Sequence, residues 1–122
     1  MILVDTAIWV DHFHRPDPEL EQLLRSRHVL VHPFVIGEVA MGGFQGRTGF
    51  IDYLSLLRRA KVARDEEVLQ LIEDWRLYGC GIGYGDAQLL ASVLLTPGSR
   101  LWTRDRALRK VARELAVDAG LP

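Results

Sequence analysis

An α/β fold on a parallel sheet is predicted by three features of this 122-residue chain. Residues 1–4 and 29–31 are short, wholly apolar runs, and residues 100–103 form a third with an apolar centre. Strands covered on both faces lose the alternation of a half-exposed strand, so such runs read as buried strands. The segments between them are long and carry apolar residues at helical spacing. Strands joined that way need crossover connections, which makes them parallel with helices on both faces.

Each element has its own warrant. Asp5 closes the first strand, and Thr6 can cap a helix bearing Ile8, Trp9, His12 and Phe13. Asp17-Pro18-Glu19 is a helix start, with a capping carboxylate, proline in the first turn and an acid beside it. That helix, with Leu20, Leu23 and Leu24, is expected to end near Arg27. The second strand follows at 29–31. Pro33 opens a helix to about Gly42-Gly43, and a glycine-rich loop runs to Gly49. Residues 50–61 predict a helix through Phe50, Tyr53, Leu54 and Leu57. Asp65 is expected to cap another, carrying Val68, Leu69, Ile72 and Trp75. Gly79, Gly81, Gly83 and Gly85 lead into a helix over 84–95, and Thr96-Pro97-Gly98 is a turn. After the third strand, Leu108, Val111, Ala112 and Leu115 lie at i, i+3, i+4 and i+7 of a helix over 106–116, with a short strand near Val117. The pattern leaves the strand order open.

Composition narrows the function. The length suits one domain over residues 1–122, with enough chain to bury a core unaided. Single Cys80 excludes a disulfide framework and a cysteine zinc site, and suits a reducing compartment. No apolar run approaches a membrane span, and residues 1–5 lack the basic region of a secretory signal, so a cytoplasmic location is expected. The net charge of −1 argues against a polyanion binder held by bulk charge. Locally the balance differs: Arg100, Arg104, Arg106, Arg109, Lys110 and Arg113 face only Asp105 over residues 100–113. A solvated helix face is the plain reading of that run.

Four acids occupy unusual places. Asp5 and Asp105 follow the first and third strands, at the carboxyl ends where open parallel sheets bind ligands. Glu38 is the only charged residue from Pro33 to Gln45, with Phe34, Val35, Met41 and Gly42 at its helical neighbour positions. Asp86 stands in a first helical turn, on the side of Leu89, Leu90, Val93 and Leu94. Each has an ordinary alternative, a cap for Asp5, Asp86 and Asp105 and an arginine partner for Glu38. Together they point to one crevice. At an effective dielectric near 20 and ~6 Å, each ionised pair costs about 3 kcal/mol, so six pairs would rival the stability of a small domain. Raised pKa values or a divalent cation must relieve them. Oxygen-only ligands select Mg²⁺ or Mn²⁺, which activates water and clamps phosphate oxygens. An acidic metal pocket beside an arginine-rich helix fits a phosphodiester hydrolase.

In their order and spacing, Ile2-Leu3-Val4-Asp5-Thr6, Val35-Ile36-Gly37-Glu38-Val39, Gly83-Tyr84-Gly85-Asp86-Ala87 and Leu101-Trp102-Thr103-Arg104-Asp105 resemble the PIN-domain ribonucleases, in particular the VapC toxins of type II toxin–antitoxin pairs. The resemblance covers nearly the whole chain. It implies a three-layer α/β/α sandwich with a central parallel sheet, a homodimer, and Mg²⁺-dependent RNA cleavage with Mn²⁺ as a substitute. It also implies neutralisation by a cognate VapB-type antitoxin that places a basic side chain among the acids. The catalytic and metal-holding acids carry over as Asp5, Glu38, Asp86 and Asp105. Thr103 matches the family's hydroxyl residue before the last acid and would orient a metal-bound water. Arg104 and Arg106 are candidates for the RNA backbone.

Other families fit less well. The glycines from Gly79 to Gly85 do not spell a dinucleotide fingerprint, and no Walker lysine follows. A haloacid dehalogenase phosphatase would need an acid where Ala7 stands, and a receiver domain a lysine where Thr103 stands. His12, His14, His28 and His32 read as surface or structural residues, and Trp9, Trp75 and Trp102 as core or interface. A catalytically idle RNA- or protein-binding module that keeps the same fold is the alternative of a different class.

Overall fold

The computed structural model describes all 122 residues. Its elements run β1 (Ile2–Val4), α1 (Thr6–His14), α2 (Pro18–Arg25), β2 (Val29–Leu30), α3 (Pro33–Ala40), α4 (Arg47–Ser55), α5 (Asp65–Asp74), α6 (Tyr84–Leu95), β3 (Arg100–Trp102) and α7 (Arg106–Glu114). The sheet is parallel in the order β2-β1-β3. Leu3 pairs with Leu30 on one side and Leu101 on the other. Single parallel bridges extend it at both edges, Val31 to Arg59 and Leu101 to Asp118. The α/β class with a parallel sheet is thus as the apolar runs predict, and the bridge at Asp118 lies where a last short strand is expected. No helix is long and apolar enough to cross a membrane.

The expectation of a helix over 50–61 is wrong at both ends. Helix α4 spans Arg47–Ser55, and the chain beyond it turns to the sheet, where Val31 N–H donates to Arg58 O and Ala60 N–H to Val31 O. Helical spacing of Leu54 and Leu57 could not reveal that an edge of β2 was open to receive a backbone. Two caps also shift by one residue. Asp5, not Thr6, is the N-cap of α1, and Arg64, not Asp65, precedes α5.

The core gathers Leu3, Val4, Leu101 and Trp102 from the strands with Ile8, Trp9, Leu54, Leu89, Leu90 and Leu108 from the helices, all essentially inaccessible. Helix α6 is buried continuously from Ala87 to Val93, so it is central rather than amphipathic. The predicted stripe through Leu94 fails for that reason: the helix is leaving the core there, and Leu94 is exposed. Trp75 and Leu69 likewise face solvent, so the predicted apolar side of α5 narrows to Val68 with the half-buried Leu71 and Ile72.

Three helices end in the same backbone device. Arg27, Arg76 and Ala116 adopt positive φ, and the next residue donates back five positions, His28 to Leu23, Leu77 to Ile72 and Val117 to Ala112. These are Schellman closures made without glycine. At Ala116, φ is 59° and the side chain is exposed. The left-handed conformation costs an L residue about 1–2 kcal/mol, against about 0.4–1 kcal/mol for glycine's extra freedom when unfolded. Ala116→Gly is therefore expected to raise stability by about 0.5–1 kcal/mol in urea unfolding.

His32 is fully buried as the N-cap of α3, its Nδ1 accepting the Phe34 N–H at 2.9 Å. Burial, and then the charge of Arg59, push its pKa down to about 4. The unfolded chain takes the proton near 6.5, so the stability tied to neutral His32 is complete above that value and drains as pH falls towards 4. His32→Asn keeps a capping oxygen and cannot titrate. Between about pH 7 and about pH 4, the natural protein is expected to lose about 3 kcal/mol more unfolding free energy than this variant.

Candidate active site

Asp5 and Asp105 stand at the carboxyl ends of β1 and β3, and charge links them to Glu38 and Asp86. The charges of Asp5 and Asp86 bear on Glu38, and those of Asp5 and Asp105 bear on Asp86. Parallel pairing of Val4 with Trp102 explains half of this, because it sets the chain leaving β1 beside the chain leaving β3. Helices α3 and α6 bring the other two. A Cβ built on Gly85 would lie 4.0 Å from Glu38 Oε1 and 3.7 Å from the Phe34 ring, so the first turn of α6 sits directly against α3.

Three of the acids are also helix caps. Asp5 accepts the Thr6 N–H at 2.8 Å, Asp86 the Gly83 N–H at 3.1 Å, and Asp105 the Leu108 N–H at 2.8 Å. The amino ends of α1, α6 and α7 thus converge on the crevice, and their dipoles favour negative charge there. The ordinary reading of these acids as caps therefore holds for Asp5, Asp86 and Asp105. Backbone N–H groups offset part of the repulsion that the sequence assigns wholly to a cation or to protonation.

Thr103 ties the arrangement together. Its fully buried hydroxyl donates to Asp5 Oδ2 at 2.7 Å and accepts the Asp105 N–H at 3.1 Å. Its proton is committed to a carboxylate, so in this structure the hydroxyl positions Asp5. Asp5 itself is only 9% exposed.

Glu38 differs from its expected setting. It is exposed, although Val35 and Val39 beside it are buried; Met41 is largely exposed and Phe34 partly so. Partial burial, then the charges of Asp5 and Asp86, hold its pKa above the ordinary value. Asp86 is raised as well, first by burial and then, against the Gly83 N–H, by Asp5 and Asp105. Thr6 approaches Glu38 closely enough to favour its charge slightly, yet Thr6 Oγ1 is buried without a formed hydrogen bond. Sequence reasoning passed over Thr6 as a site residue. Its place beside Asp5 was the available signal.

The donors fit a hard cation in kind. They are carboxylate oxygens, and the orphaned Thr6 hydroxyl is what a hydrated ion's water would satisfy. No three acidic, histidine or cysteine side chains stand together as a ready-made coordination set. The physical cause is visible: Asp5, Asp86 and Asp105 are turned onto backbone N–H groups.

The two candidate RNA contacts part ways. Arg104 donates to Asp11 Oδ2 at 3.0 Å, Asp17 Oδ2 at 2.7 Å and Pro122 O at 3.0 Å, and its guanidinium lies 5.6 Å from the Trp102 ring centroid. It is a clamp joining α1, the start of α2 and the C-terminus, not a free cation for RNA. Arg109 is likewise engaged, with the carbonyls of Thr103 and Leu121. Arg106 is exposed and forms no ion pair, as does Lys110 one turn on. A groove of about 460 Å³ lined by Arg104, Arg106, Arg109, Lys110, Arg113 and Glu114 runs along α7.

Comparison with protein families matches residues 2–114 to the PIN domain. The chain is 43% identical over 117 residues to a protein named ribonuclease VapC32 from Mycobacterium tuberculosis strain CDC 1551 / Oshkosh, covering 96% of this chain and 94% of that one. Its namesake from strain ATCC 25618 / H37Rv gives the same identity and coverage.

The raised pKa of Glu38 has a measurable sign. Its ionised form is penalised in the folded state, fully so above the folded pKa, and the penalty fades as pH falls through it. Metal-free Glu38→Gln is therefore expected to match or exceed the natural protein's thermal stability at neutral pH, by under ~1 kcal/mol given the exposure of the group. The gap should close on acidification. A loss of several degrees at neutral pH would make Glu38 a structural acid.

Proposed function

The chain belongs to the PIN-domain family, and from that premise we propose that it is a Mg²⁺-dependent endoribonuclease, the toxin of a type II toxin–antitoxin pair. The observation that carries the reading is the linkage of Asp5 and Asp105 through Thr103, with the charges of Asp5 and Asp105 bearing on Asp86 and those of Asp5 and Asp86 on Glu38. The ribonuclease name of the relatives supports the substrate class.

In this reading Asp5, Glu38 and Asp86 would hold a first Mg²⁺, directly or through water, and Asp105 would complete the site or help hold a second. Mn²⁺ is the expected substitute. Such an ion, when bound, lowers the pKa of a coordinated water and offsets charge on phosphate oxygens. The protein's own groups do the remaining work. Thr103 keeps Asp5 Oδ2 in place through a buried hydrogen bond. The amino ends of α1, α6 and α7 hold the carboxylates and favour the approach of phosphate. Hydrolysis delivers a hydroxyl to phosphorus and a proton to the leaving oxygen; the raised proton affinity of Glu38 and Asp86 belongs to the metal-free crevice and would fall with an ion held there. Arg106, joined by Lys110, supplies positive charge for the RNA backbone.

An antitoxin of the VapB type is the proposed protein partner. Beside Glu38 a pocket of about 100 Å³ is lined by Val10, Phe13, His14, Val39, Phe44 and Phe50. An apolar segment seated there would deliver a basic side chain to the acids. A homodimer is also part of the proposal, and the apolar rim at Leu94 and Leu95 between α5 and α6 offers a surface for it. The idle-module alternative draws on one observation, the lack of a ready-made coordination set.

Total RNA incubated with the purified chain is expected to be cleaved with Mg²⁺ and spared with EDTA. Asp5→Asn and Asp86→Asn should each lower the rate by at least about 100-fold. Mg²⁺ should also raise the melting temperature of the natural protein more than that of Asp86→Asn. Equal cleavage by all three proteins would place the activity elsewhere. RNA binding without cleavage would favour the idle module.

A further inference from the structure

On the far side of α6's first turn from Glu38 lies a second small cavity, of about 130 Å³. Its walls include Leu77, Tyr78, Ile82, Gly83, Tyr84 and Ala87. Two of them are tyrosines turned to solvent, Tyr78 at 62% and Tyr84 at 42% exposure. Tyr84 is held firmly: its hydroxyl donates to Asp65 at 2.9 Å and accepts from Gln88 at 3.1 Å. A ring fixed by its hydroxyl presents its face to a ligand with little further loss of freedom.

The cavity adjoins the acids. Gly83, one of its walls, donates its N–H to Asp86 Oδ2. The loop that carries it also abuts the basic helix, since a Cβ on Gly81 would lie 3.5 Å from the Ala107 side chain. Aromatic surface and acidic crevice therefore meet at Gly83, and the same loop touches α7 at Ala107.

We propose that this cavity is a nucleobase subsite, in which Tyr78 and Tyr84 hold a base of single-stranded RNA next to the phosphate presented to the acids. The proposal rests on the reading of the chain as an RNA-cleaving protein and adds its specificity-determining residues. Charge chooses the occupant. No cation lines the cavity, so it suits an uncharged ring rather than a phosphate. Size agrees, because the space equals about four waters' share of liquid volume, enough for one flat ring and too little for a helix of a second copy. Base-on-aromatic stacking tolerates any base and recurs wherever single strands are bound.

The test uses the full chain in EDTA, so that binding is read without cleavage. Probes are short single-stranded RNAs carrying 2-aminopurine at successive positions in separate oligonucleotides, with matched RNAs abasic at the same positions. The natural protein and Tyr78→Phe are expected to quench the probe at one position. Tyr78→Ala should abolish the quenching and weaken binding about 5- to 150-fold. The natural protein should bind the RNA abasic at that position as weakly as Tyr78→Ala binds the intact one. Tyr78→Ala matching the natural protein in affinity and quenching would overturn the subsite, as would a natural protein that binds RNA without quenching or not at all. Quenched binding without Mg²⁺-dependent cleavage would uphold the subsite and overturn the hydrolase reading alone.

Discussion

Val4 pairs with Trp102 in parallel, and the two chains leave the sheet side by side at the same edge. The Asp5–Thr103–Asp105 half of the acidic crevice depends on that pairing. It sets Asp5 beside the β3–α7 turn, close enough for the Thr103 hydroxyl to reach Asp5 and the Asp105 N–H at once. An antiparallel partner would send the two acids to opposite ends of the sheet. The crossover connections that parallel strands require also place α6 against β3, so Asp86 arrives from a third direction.

The same edge collects helix starts, and this changes the electrostatic picture. Four carboxylates in bulk solvent would simply repel. Here three of them accept backbone N–H groups at the amino ends of α1, α6 and α7. The cost of clustering is met in part by the fold and falls unevenly. Glu38, which caps nothing, and Asp86 in its half-buried turn keep raised proton affinity. A crevice of this kind holds its charges in part through the backbone that surrounds them.

Positive charge is sorted by the same packing. From the sequence, the run from Arg100 to Arg113 looks like a uniform basic face. In the fold Arg104 and Arg109 are spent on internal contacts with Asp11, Asp17 and backbone carbonyls. Arg106 and Lys110 remain exposed and free of ion pairs along the groove of α7. The clamp made by Arg104 also closes the chain on itself, joining α1 and the start of α2 to Pro122.

The sequence by itself determined the strands, the α/β class, most helix starts and the identity of the four acids. These depend on local patterning: an apolar run such as Leu3-Val4, a capping aspartate such as Asp17, and charges such as Asp5 standing where a run ends. Tertiary structure decided what rests on partners far along the chain. It turned residues 58–60 from helix into sheet edge, left Glu38 exposed, buried α6 from Ala87 to Val93 and gave the Thr103 proton to Asp5. A hydrogen bond between residues 98 positions apart, or the direction from which a helix meets solvent, leaves no mark on local periodicity.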